Sequence, residues 1–326
     1  MAKTKNDNGN KTRRAAKPAN KAAAKKTRWP KKSREMRTAV FDSTRWNGFR
    51  FRDDDIVIVT FGKAGTTWTQ QIVAQLVLGA PDGISGVRES PWLDFRIVPL
   101  EDVQAQLEAQ THRRFIKTHL PVDALVFSPK AKYIYIGRDA RDIAWSAYNH
   151  QAGFTDGALA AFNETPGRVG PPISRPPCDV RDYYLHFLEF DDFPGFEFGG
   201  LWSHTQGWWN LRALPNVLLV HFNGLKANME REIRRIARFL AIDVAPSSWR
   251  RIVEHCSFDY MRAEAKKIEE LEQFFQGGGE TFFNKGTNGR WKDVLSSEEI
   301  ARCDAVAARH LTPDCARWLK TGKLQR

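Results

Sequence analysis

Residues 57–68 read Val-Ile-Val-Thr-Phe-Gly-Lys-Ala-Gly-Thr-Thr-Trp, and this stretch decides the fold of the chain. The apolar run of residues 56–59 is short, β-branched and followed by a glycine, which predicts a buried strand that ends in a tight turn. Gly62 and Gly65 let the backbone approach an anion closely, and a helix predicted from Thr67 points its first N–H groups at the same place. The stretch therefore predicts a strand, a phosphate-binding turn and a helix.

The position of the lysine in this turn argues against an ordinary ATPase. A Walker A loop places its lysine directly after the second glycine, whereas Lys63 stands before Gly65. The stretch instead resembles the 5′-phosphosulfate loop of the cytosolic-type sulfotransferases, usually Thr-Tyr-Pro-Lys-Ser-Gly-Thr-Thr-Trp, with Gly62 and Ala64 in place of the usual Pro and Ser. The resemblance implies that six loop residues bind the donor nucleotide: Lys63, Ala64, Gly65, Thr66, Thr67 and Trp68.

The basic charge of the chain is concentrated near its start. The formal net charge is +12, and residues 1–37 alone hold fourteen Lys or Arg against Asp7 and Glu35, which accounts for all of it. These residues contain few apolar side chains larger than alanine, so we expect a disordered basic tail, followed by one domain over residues 38–326. The tail is either a solubilising extension or a weak contact for nucleic acid or an anionic membrane.

Several classes of protein are disfavoured by composition. No apolar run approaches the ~20 residues of a membrane helix, and the start lacks the apolar region of a secretory signal, so a cytoplasmic protein is expected. The four cysteines are widely spaced, and the histidines do not have the spacing of a zinc-binding helix. We therefore expect reduced thiols and no metal.

Strands and helices alternate along the rest of the chain. Strands are predicted at residues 56–59, 114–118, 131–136 and 217–221. This order predicts a P-loop-like, three-layer α/β fold with a central, mostly parallel sheet flanked by helices, whose anion sites lie at the carboxyl ends of the strands. A continuous helix is predicted over residues 225–240. Residues 151–178, rich in Pro and Gly, are predicted to lack regular structure and to form a lid, a binding loop or a disordered segment.

A second segment resembles the part of the family that binds the 3′-phosphate of the nucleotide. Arg138 and Ser146 match an arginine and a serine eight residues later, and a guanidinium at a strand end suits phosphate. The resemblance also implies nucleotide contacts at Phe222, where the family has a Tyr, at Cys256, where it has a Thr, and at Phe258.

A third segment lies near the C-terminus, where Asn284-Lys-Gly-Thr-Asn-Gly-Arg-Trp-Lys292 is similar to the family loop Arg-Lys-Gly-x-x-Gly-Asp-Trp-Lys. The resemblance implies that Asn284, Lys285 and Gly286 close over the 3′-phosphate. Asn284 replaces the family arginine, so we expect Lys285 and Arg290 to supply the remaining charge.

The candidate catalytic base is His119, in the segment Phe115-Ile-Lys-Thr-His-Leu-Pro121. A histidine at a strand end is more often a hydrogen-bonded structural residue, but here it accompanies the loop and Arg138 in the family's order. An imidazole, with an ordinary pKa of about 6.5, can accept the proton of a hydroxyl acceptor near neutral pH. The resemblance implies His119 as the base, with Lys63 and Lys117 stabilising charge on the transferring group.

Together these motifs indicate a sulfotransferase that moves a sulfuryl group from 3′-phosphoadenosine 5′-phosphosulfate (PAPS) to a hydroxyl acceptor. The alternatives are a P-loop-related nucleotide kinase and a nucleic-acid-binding scaffold with a basic tail. Trp92, Phe95, Phe154 and residues 153–177 are expected to wall an apolar acceptor pocket, which fits a small molecule or a lipid. The family's short dimer motif is absent after Lys292, and the oligomeric state stays open.

Overall fold

Four parallel strands form the sheet at the centre of the fold. The computed structural model describes residues 1–2 and 29–324. The strands are β1 (Ile56–Thr60), β2 (Phe115–Thr118), β3 (Lys132–Gly137) and β4 (Val217–His221). β1 lies between β2 and β3, β4 pairs with the other side of β3, and every pair is parallel. The predicted α/β fold with a parallel sheet is confirmed.

Helices account for about half of the remaining described residues. They are α1 (Thr66–Leu78), α2 (Gly86–Glu89), α3 (Leu100–Ala109), α4 (Ala140–Ala152), α5 (Asp156–Glu164), α6 (Val180–Phe190), α7 (Leu201–Asn210), α8 (Phe222–Ala227), α9 (Met229–Leu240), α10 (Trp249–His255), α11 (Phe258–Ala265), α12 (Glu269–Phe274), α13 (Gly278–Phe282), α14 (Ser297–His310) and α15 (Pro313–Thr321). Within the described ranges, none of them is both long and apolar enough to cross a membrane.

The two faces of the sheet bury separate apolar clusters, because alternate side chains of a strand point to opposite faces. Ile56 and Ile58 of β1 pack with buried residues of α1, α9 and α10. Val57 and Val59 pack on the other face with buried residues of α4, α6, α7, α14 and α15. The result is three layers, helix on sheet on helix.

The carboxyl ends of all four strands lie at one edge of the sheet, because the strands run in the same direction. β1 leads into the turn at Gly62, β2 into His119, β3 into Arg138 and β4 into Phe222. This topology places residues from four separate parts of the sequence beside one another.

The segment of residues 151–178 is not wholly irregular, contrary to the prediction, because it contains α5. Thr155 begins this helix by accepting a hydrogen bond from the Ala158 N–H at 3.0 Å. α5 buries only Ala158 and Phe162, so its apolar spacing is too sparse to mark a helix in the sequence.

The helix predicted over residues 225–240 is interrupted at Asn228. The side chain of Asn228 accepts a hydrogen bond from the Arg231 N–H at 2.9 Å, which ends α8 and begins α9. An asparagine side chain competes with the helix for backbone groups, so it favours a cap over a helix interior.

The end of the predicted tail, from Trp29 to Arg37, contacts the domain. Trp29 stacks on Phe127 at 5.7 Å between ring centroids. Met36 is buried, and its N–H donates to Ser43 Oγ at 2.8 Å. Residues 3–28, where most of the predicted tail and its predicted contacts with nucleic acid or membrane fall, lie outside the described residues. Residues 29 and 36 thus contact the domain although they precede the predicted boundary at residue 38.

We expect a chain that starts at Trp29 to melt at a higher temperature than one that starts at Thr38. The shorter chain loses the buried Met36 side chain, whose burial contributes on the order of 2 kcal/mol, together with the stacking of Trp29. Thermal unfolding of the two purified chains, followed by circular dichroism, measures the difference. Equal melting temperatures would show that residues 29–37 add nothing to stability.

Candidate active site

A cavity of about 410 Å³ opens at the carboxyl ends of the strands. Its wall takes residues from the turn after β1, from β2, and from helices α4, α8, α11, α12 and α13. Most of the site residues predicted from the sequence line it: Lys63, Gly65, Thr66, Thr67, Trp68, Lys117, His119, Arg138, Ser146, Phe222, Phe258, Asn284, Lys285 and Gly286. The fold thus brings together motifs that lie far apart in the sequence.

Two predicted nucleotide contacts, Ala64 and Cys256, do not line the cavity, because both side chains are fully buried elsewhere. The N–H of Ala64 donates to the Phe61 carbonyl at 3.2 Å and closes the turn after β1. The carbonyl of Cys256 accepts the Trp68 indole N–H at 2.8 Å and fixes that ring at the cavity wall. These residues support the site through their backbone atoms.

The turn after β1 has the backbone geometry of an anion-binding turn. Gly65 has φ +125°, and a Cβ there would lie 2.8 Å from Ile136 Cδ1, so glycine is required. Lys63 also has a positive φ, +67°, which costs a residue with a Cβ about 1–2 kcal/mol. No side chain caps α1 at Gly65, so the first N–H groups of this helix remain for a negatively charged ligand.

His119 is buried at the end of β2 and held by a hydrogen bond to β1. Its Nδ1 lies 2.8 Å from the Thr60 carbonyl oxygen. A carbonyl oxygen can only accept, so Nδ1 carries the hydrogen and Nε2 keeps its lone pair. Burial and the charge of Lys117 hold the pKa of His119 well below its usual range. The imidazole is therefore neutral and can take a proton from a ligand in the cavity.

Three positive side chains reach the cavity from three neighbouring strands. Burial and the charges of Lys117 and Arg138 lower the pKa of Lys63 to about 7. Burial lowers the pKa of Lys117 to about 8, and its Nζ lies 3.8 Å from the centre of the Trp92 ring. Because these like charges repel one another away from bulk water, a bound anion would stabilise all three.

Arg138 connects the turn after β1 to the loop of residues 284–291, which we call the C-terminal loop. Its guanidinium donates to Asn288 Oδ1 at 2.7 and 3.0 Å and to the carbonyls of Thr287 and Lys63 at 3.2 Å. Burial lowers the pKa of Arg138 to about 10, so it stays charged at neutral pH. These four bonds go to neutral oxygens, so the positive charge remains available to an anion.

The C-terminal loop is held by Asp142 on α4. Asp142 Oδ1 accepts the Gly289 N–H at 2.7 Å and the Trp291 indole N–H at 3.1 Å. Across the loop, Arg290 Nη1 donates to Asn284 Oδ1 at 2.9 Å, and both residues line the cavity. A guanidinium therefore lies beside the position where asparagine replaces the arginine of the family loop.

Aromatic side chains form the apolar part of the wall. Trp92 and Phe95 stack at 4.3 Å, and the edge of the Phe198 ring meets the His119 ring at 5.2 Å between centroids. The aromatic residues at the wall outside the nucleotide-binding motifs are Trp92, Phe95, Phe154, Phe162, Phe196, Phe198, Phe274, Phe275, Phe282 and Phe283. They include the predicted Trp92, Phe95 and Phe154, and they give the base an apolar neighbourhood.

His150 is a lining residue that the sequence analysis did not identify. It lies four residues after Ser146 on α4, and both residues line the cavity. Residues four apart share a helix face, so this spacing was available as a signal. The phenylalanines at 196, 198 and 282 come from separate segments, and no local pattern marks them as neighbours.

Side chains that could bind a metal or form a disulfide do not cluster in the described part of the chain. Across residues 29–324, no group of three His, Cys, Asp or Glu side chains is arranged to hold a metal ion. The cysteines are free thiols: Cys178, Cys256, Cys303 and Cys315.

Comparison of the chain with known proteins identifies its family. A family model described as "Sulfotransferase domain" matches residues 53–314. A protein named Glycolipid sulfotransferase from Mycobacterium bovis (strain BCG / Pasteur 1173P2) is 32% identical over 309 residues, which cover 88% of this chain and 94% of the relative. Sulfotransferase 1A1 from Rattus norvegicus is 28% identical over 272 residues, which cover 80% of this chain and 86% of the relative.

Among solved structures, mouse sulfotransferase SULT7A1 complexed with PAP has the same fold, with a TM-score of 0.64 and 22% identity over 85% of this chain and 91% of that one. The retinol dehydratase structure in complex with androsterone and PAP also has a TM-score of 0.64, at 20% identity over 83% of this chain and 84% of that one. The family resemblance drawn from the sequence is confirmed. Because the family model spans most of its length and a relative is 32% identical over 88% of it, the chain belongs to the sulfotransferase family.

Proposed function

We propose that this sulfotransferase transfers a sulfuryl group from PAPS to a hydroxyl group on an acceptor with an apolar body. The observation that carries the proposal is that His119, whose Nδ1 donates to the Thr60 carbonyl and leaves the lone pair on Nε2, lines the same cavity as Lys63, Lys117 and the glycine turn. A base beside the acceptor and positive charge beside the donor are what such a transfer requires.

Two glycine turns in the cavity wall suit the two anionic ends of the donor. Gly65 lies in the turn after β1, and Gly286, with φ +62°, lies in the C-terminal loop, where a Cβ would be 2.5 Å from the Phe258 ring. We assign the phosphosulfate to the first turn and the 3′-phosphate to the second, with Arg138 between them. The PAP named in the mouse SULT7A1 structure supports a donor of this class.

The proposed transfer is a single displacement at sulfur. The acceptor oxygen forms a bond to sulfur while the bond between sulfur and the 5′-phosphate oxygen breaks, and the hydroxyl proton moves to His119 Nε2. Lys63 and Lys117 stabilise the negative charge on the sulfuryl and leaving phosphate oxygens. The products are the sulfated acceptor and adenosine 3′,5′-bisphosphate.

An acceptor with an apolar body is supported by the ring-lined wall around His119. Trp92 and Phe198 contact the His119 ring, and Phe95 stacks on Trp92, so the wall beside the base favours an aromatic or lipid group attached to the acceptor hydroxyl. The mycobacterial relative is named for glycolipids, which also combine hydroxyl groups with apolar chains.

The test is a mass-spectrometric screen. Purified protein is incubated with PAPS and one candidate acceptor at a time, taken from phenols, steroids, sugars and lipids. We expect at least one acceptor to gain the mass of one SO₃ group, with adenosine 3′,5′-bisphosphate formed in equal amount. Phenols and lipids should outperform free sugars, because free sugars leave the aromatic wall unfilled. Sulfation of sugars alone would contradict the acceptor assignment, and no transfer to any compound would contradict the function.

A further inference from the structure

A hydrogen bond in the cavity joins the turn after β1 to helix α4. Lys63 Nζ lies 2.9 Å from His150 Nδ1. Both side chains line the cavity, and His150 stands one helical turn beyond Ser146. The family resemblance assigned no role to His150, and this contact joins it directly to the lysine assigned to the donor.

Apolar rings and positively charged side chains surround this pair. The His150 ring lies 4.8 Å from Phe275, 5.2 Å from Phe154, 6.0 Å from Phe282 and 6.3 Å from Phe196 between centroids. The charged side chains that act on Lys63 are Lys117 and Arg138, and those that act on His150 are Lys63 and Lys117. Each of these charges opposes a further positive charge. The neutral His119 is the other titratable group that acts on His150.

These surroundings fix the roles of the two nitrogens of His150. Burial and the charge of Lys63 hold the pKa of His150 well below its usual range, so the imidazole is neutral. A lysine ammonium can only donate, so Nδ1 of His150 accepts from it and the ring hydrogen resides on Nε2. His119 has the opposite tautomer, because its Nδ1 donates to the Thr60 carbonyl.

We propose that His150 is a positioning residue that holds the Lys63 side chain in its charged form, directed into the cavity, until the phosphosulfate of the donor takes over that contact. The proposal rests on the proposed function, because it assumes that the anion met by Lys63 belongs to PAPS. It adds that α4 supplies the acceptor atom that Lys63 requires when no anion is bound. An ammonium has three N–H groups, so it can reach the anion before it leaves His150.

The proposal predicts a specific dependence on pH. Burial and the charges of Lys117 and Arg138 already lower the pKa of Lys63 to about 7. A hydrogen bond accepted by Nδ1 favours the charged ammonium, so its loss lowers this pKa further. Because only the charged form attracts the donor, kcat/KM for PAPS falls as the pH rises through the pKa of Lys63. Without the His150 acceptor, this fall begins at a lower pH.

The experiment compares two substitutions at the same position. His150→Phe keeps a planar ring against Phe154 and Phe275 but removes the acceptor, whereas His150→Asn keeps an acceptor oxygen close to the position of Nδ1. We expect His150→Phe to shift the alkaline limb of kcat/KM for PAPS to lower pH by about one unit, the equivalent of one hydrogen bond to a charged group. His150→Asn should restore most of the wild-type limb.

A measurement on the unmodified protein covers the case in which neither variant folds. ¹⁵N NMR of the His150 imidazole in the nucleotide-free protein should show a bare Nδ1 and a protonated Nε2, and adenosine 3′,5′-bisphosphate with sulfate should change the Nδ1 signal. Identical pH profiles for wild type and folded His150→Phe, or a protonated Nδ1, would overturn the proposal. If the wild type transfers no sulfuryl group at all, it is the proposed function that fails, so the two failures are distinguishable.

Discussion

Replacing His119 with alanine is expected to lower the turnover number by about 10²–10⁴, the usual contribution of a positioned general base. The substitution removes the Nε2 lone pair that receives the acceptor proton. It leaves the turn after β1 and the C-terminal loop intact, so the affinity for adenosine 3′,5′-bisphosphate should change little. Turnover with a hydroxyl acceptor and calorimetric nucleotide binding measure the two effects separately.

Two controls sharpen this experiment. His310→Ala removes an exposed histidine on α14, outside the cavity, and should leave turnover unchanged. Lys63→Ala should also slow turnover, but through lost charge stabilisation, so donor affinity should fall with it. A His119→Ala protein that turns over a hydroxyl acceptor at the wild-type rate would exclude His119 as the base.

The pH dependence follows from the environment of His119. Burial and the charge of Lys117 hold its pKa well below the usual range, so the basic form persists at mildly acidic pH. We expect kcat to be lost only as the pH falls through this depressed pKa, when the imidazole becomes protonated and can no longer accept a proton.

The second large effect concerns the 3′-phosphate. Wild-type protein should bind adenosine 3′,5′-bisphosphate at least tenfold more tightly than adenosine 5′-monophosphate, because a charge-assisted hydrogen bond contributes about 1.5–3 kcal/mol. Arg138→Ala should remove most of this preference. Arg138 also donates to Asn288 and to the Thr287 and Lys63 carbonyls, so the preference reflects the difference in free energy between hydrogen bonds to these neutral oxygens and hydrogen bonds to a phosphate.

Arg290 offers a matched test of the same site. Its guanidinium donates to Asn284, so it places a positive charge at the position of the family arginine. Arg290→Gln removes this charge and should reduce the preference for the bisphosphate, though less than Arg138→Ala does. Asn284→Arg on the Arg290→Gln background returns an arginine to the position it has in the family loop and should restore the preference. Calorimetric titration of both nucleotides against each variant measures these differences. Equal wild-type affinities for the two nucleotides, or tighter binding of ATP with Mg²⁺, would contradict the PAPS assignment and favour a kinase.

The sequence by itself determined the parts of the site that depend on local chemistry. The β-branched run before Gly62 identified β1, and the alternation of strands and helices predicted a parallel sheet. In such a sheet all strand ends share one edge, so the predicted strands place Lys63, His119 and Arg138 at the same edge, whereas the structure shows which strands lie beside β1. The family motifs added Ser146 and the C-terminal loop.

Errors in the sequence analysis arose where few residues carry the local signal. α5 buries only Ala158 and Phe162. The interruption of the predicted helix at Asn228 depends on a single side chain, which caps α9. Neither of these features has a periodic pattern that a sequence window can detect.

Only the tertiary structure decided which side chains meet across the cavity. Arg138 bonds Asn288, and Lys63 bonds His150, although 150 and 87 positions separate them in the sequence. Such contacts depend on the packing of whole helices, because a shift of about 1 Å makes or breaks a hydrogen bond while leaving the local pattern unchanged. The motifs therefore fixed the chemistry available at the strand ends. The packing of α4 and the C-terminal loop set the hydrogen-bond partners of Lys63 and Arg138.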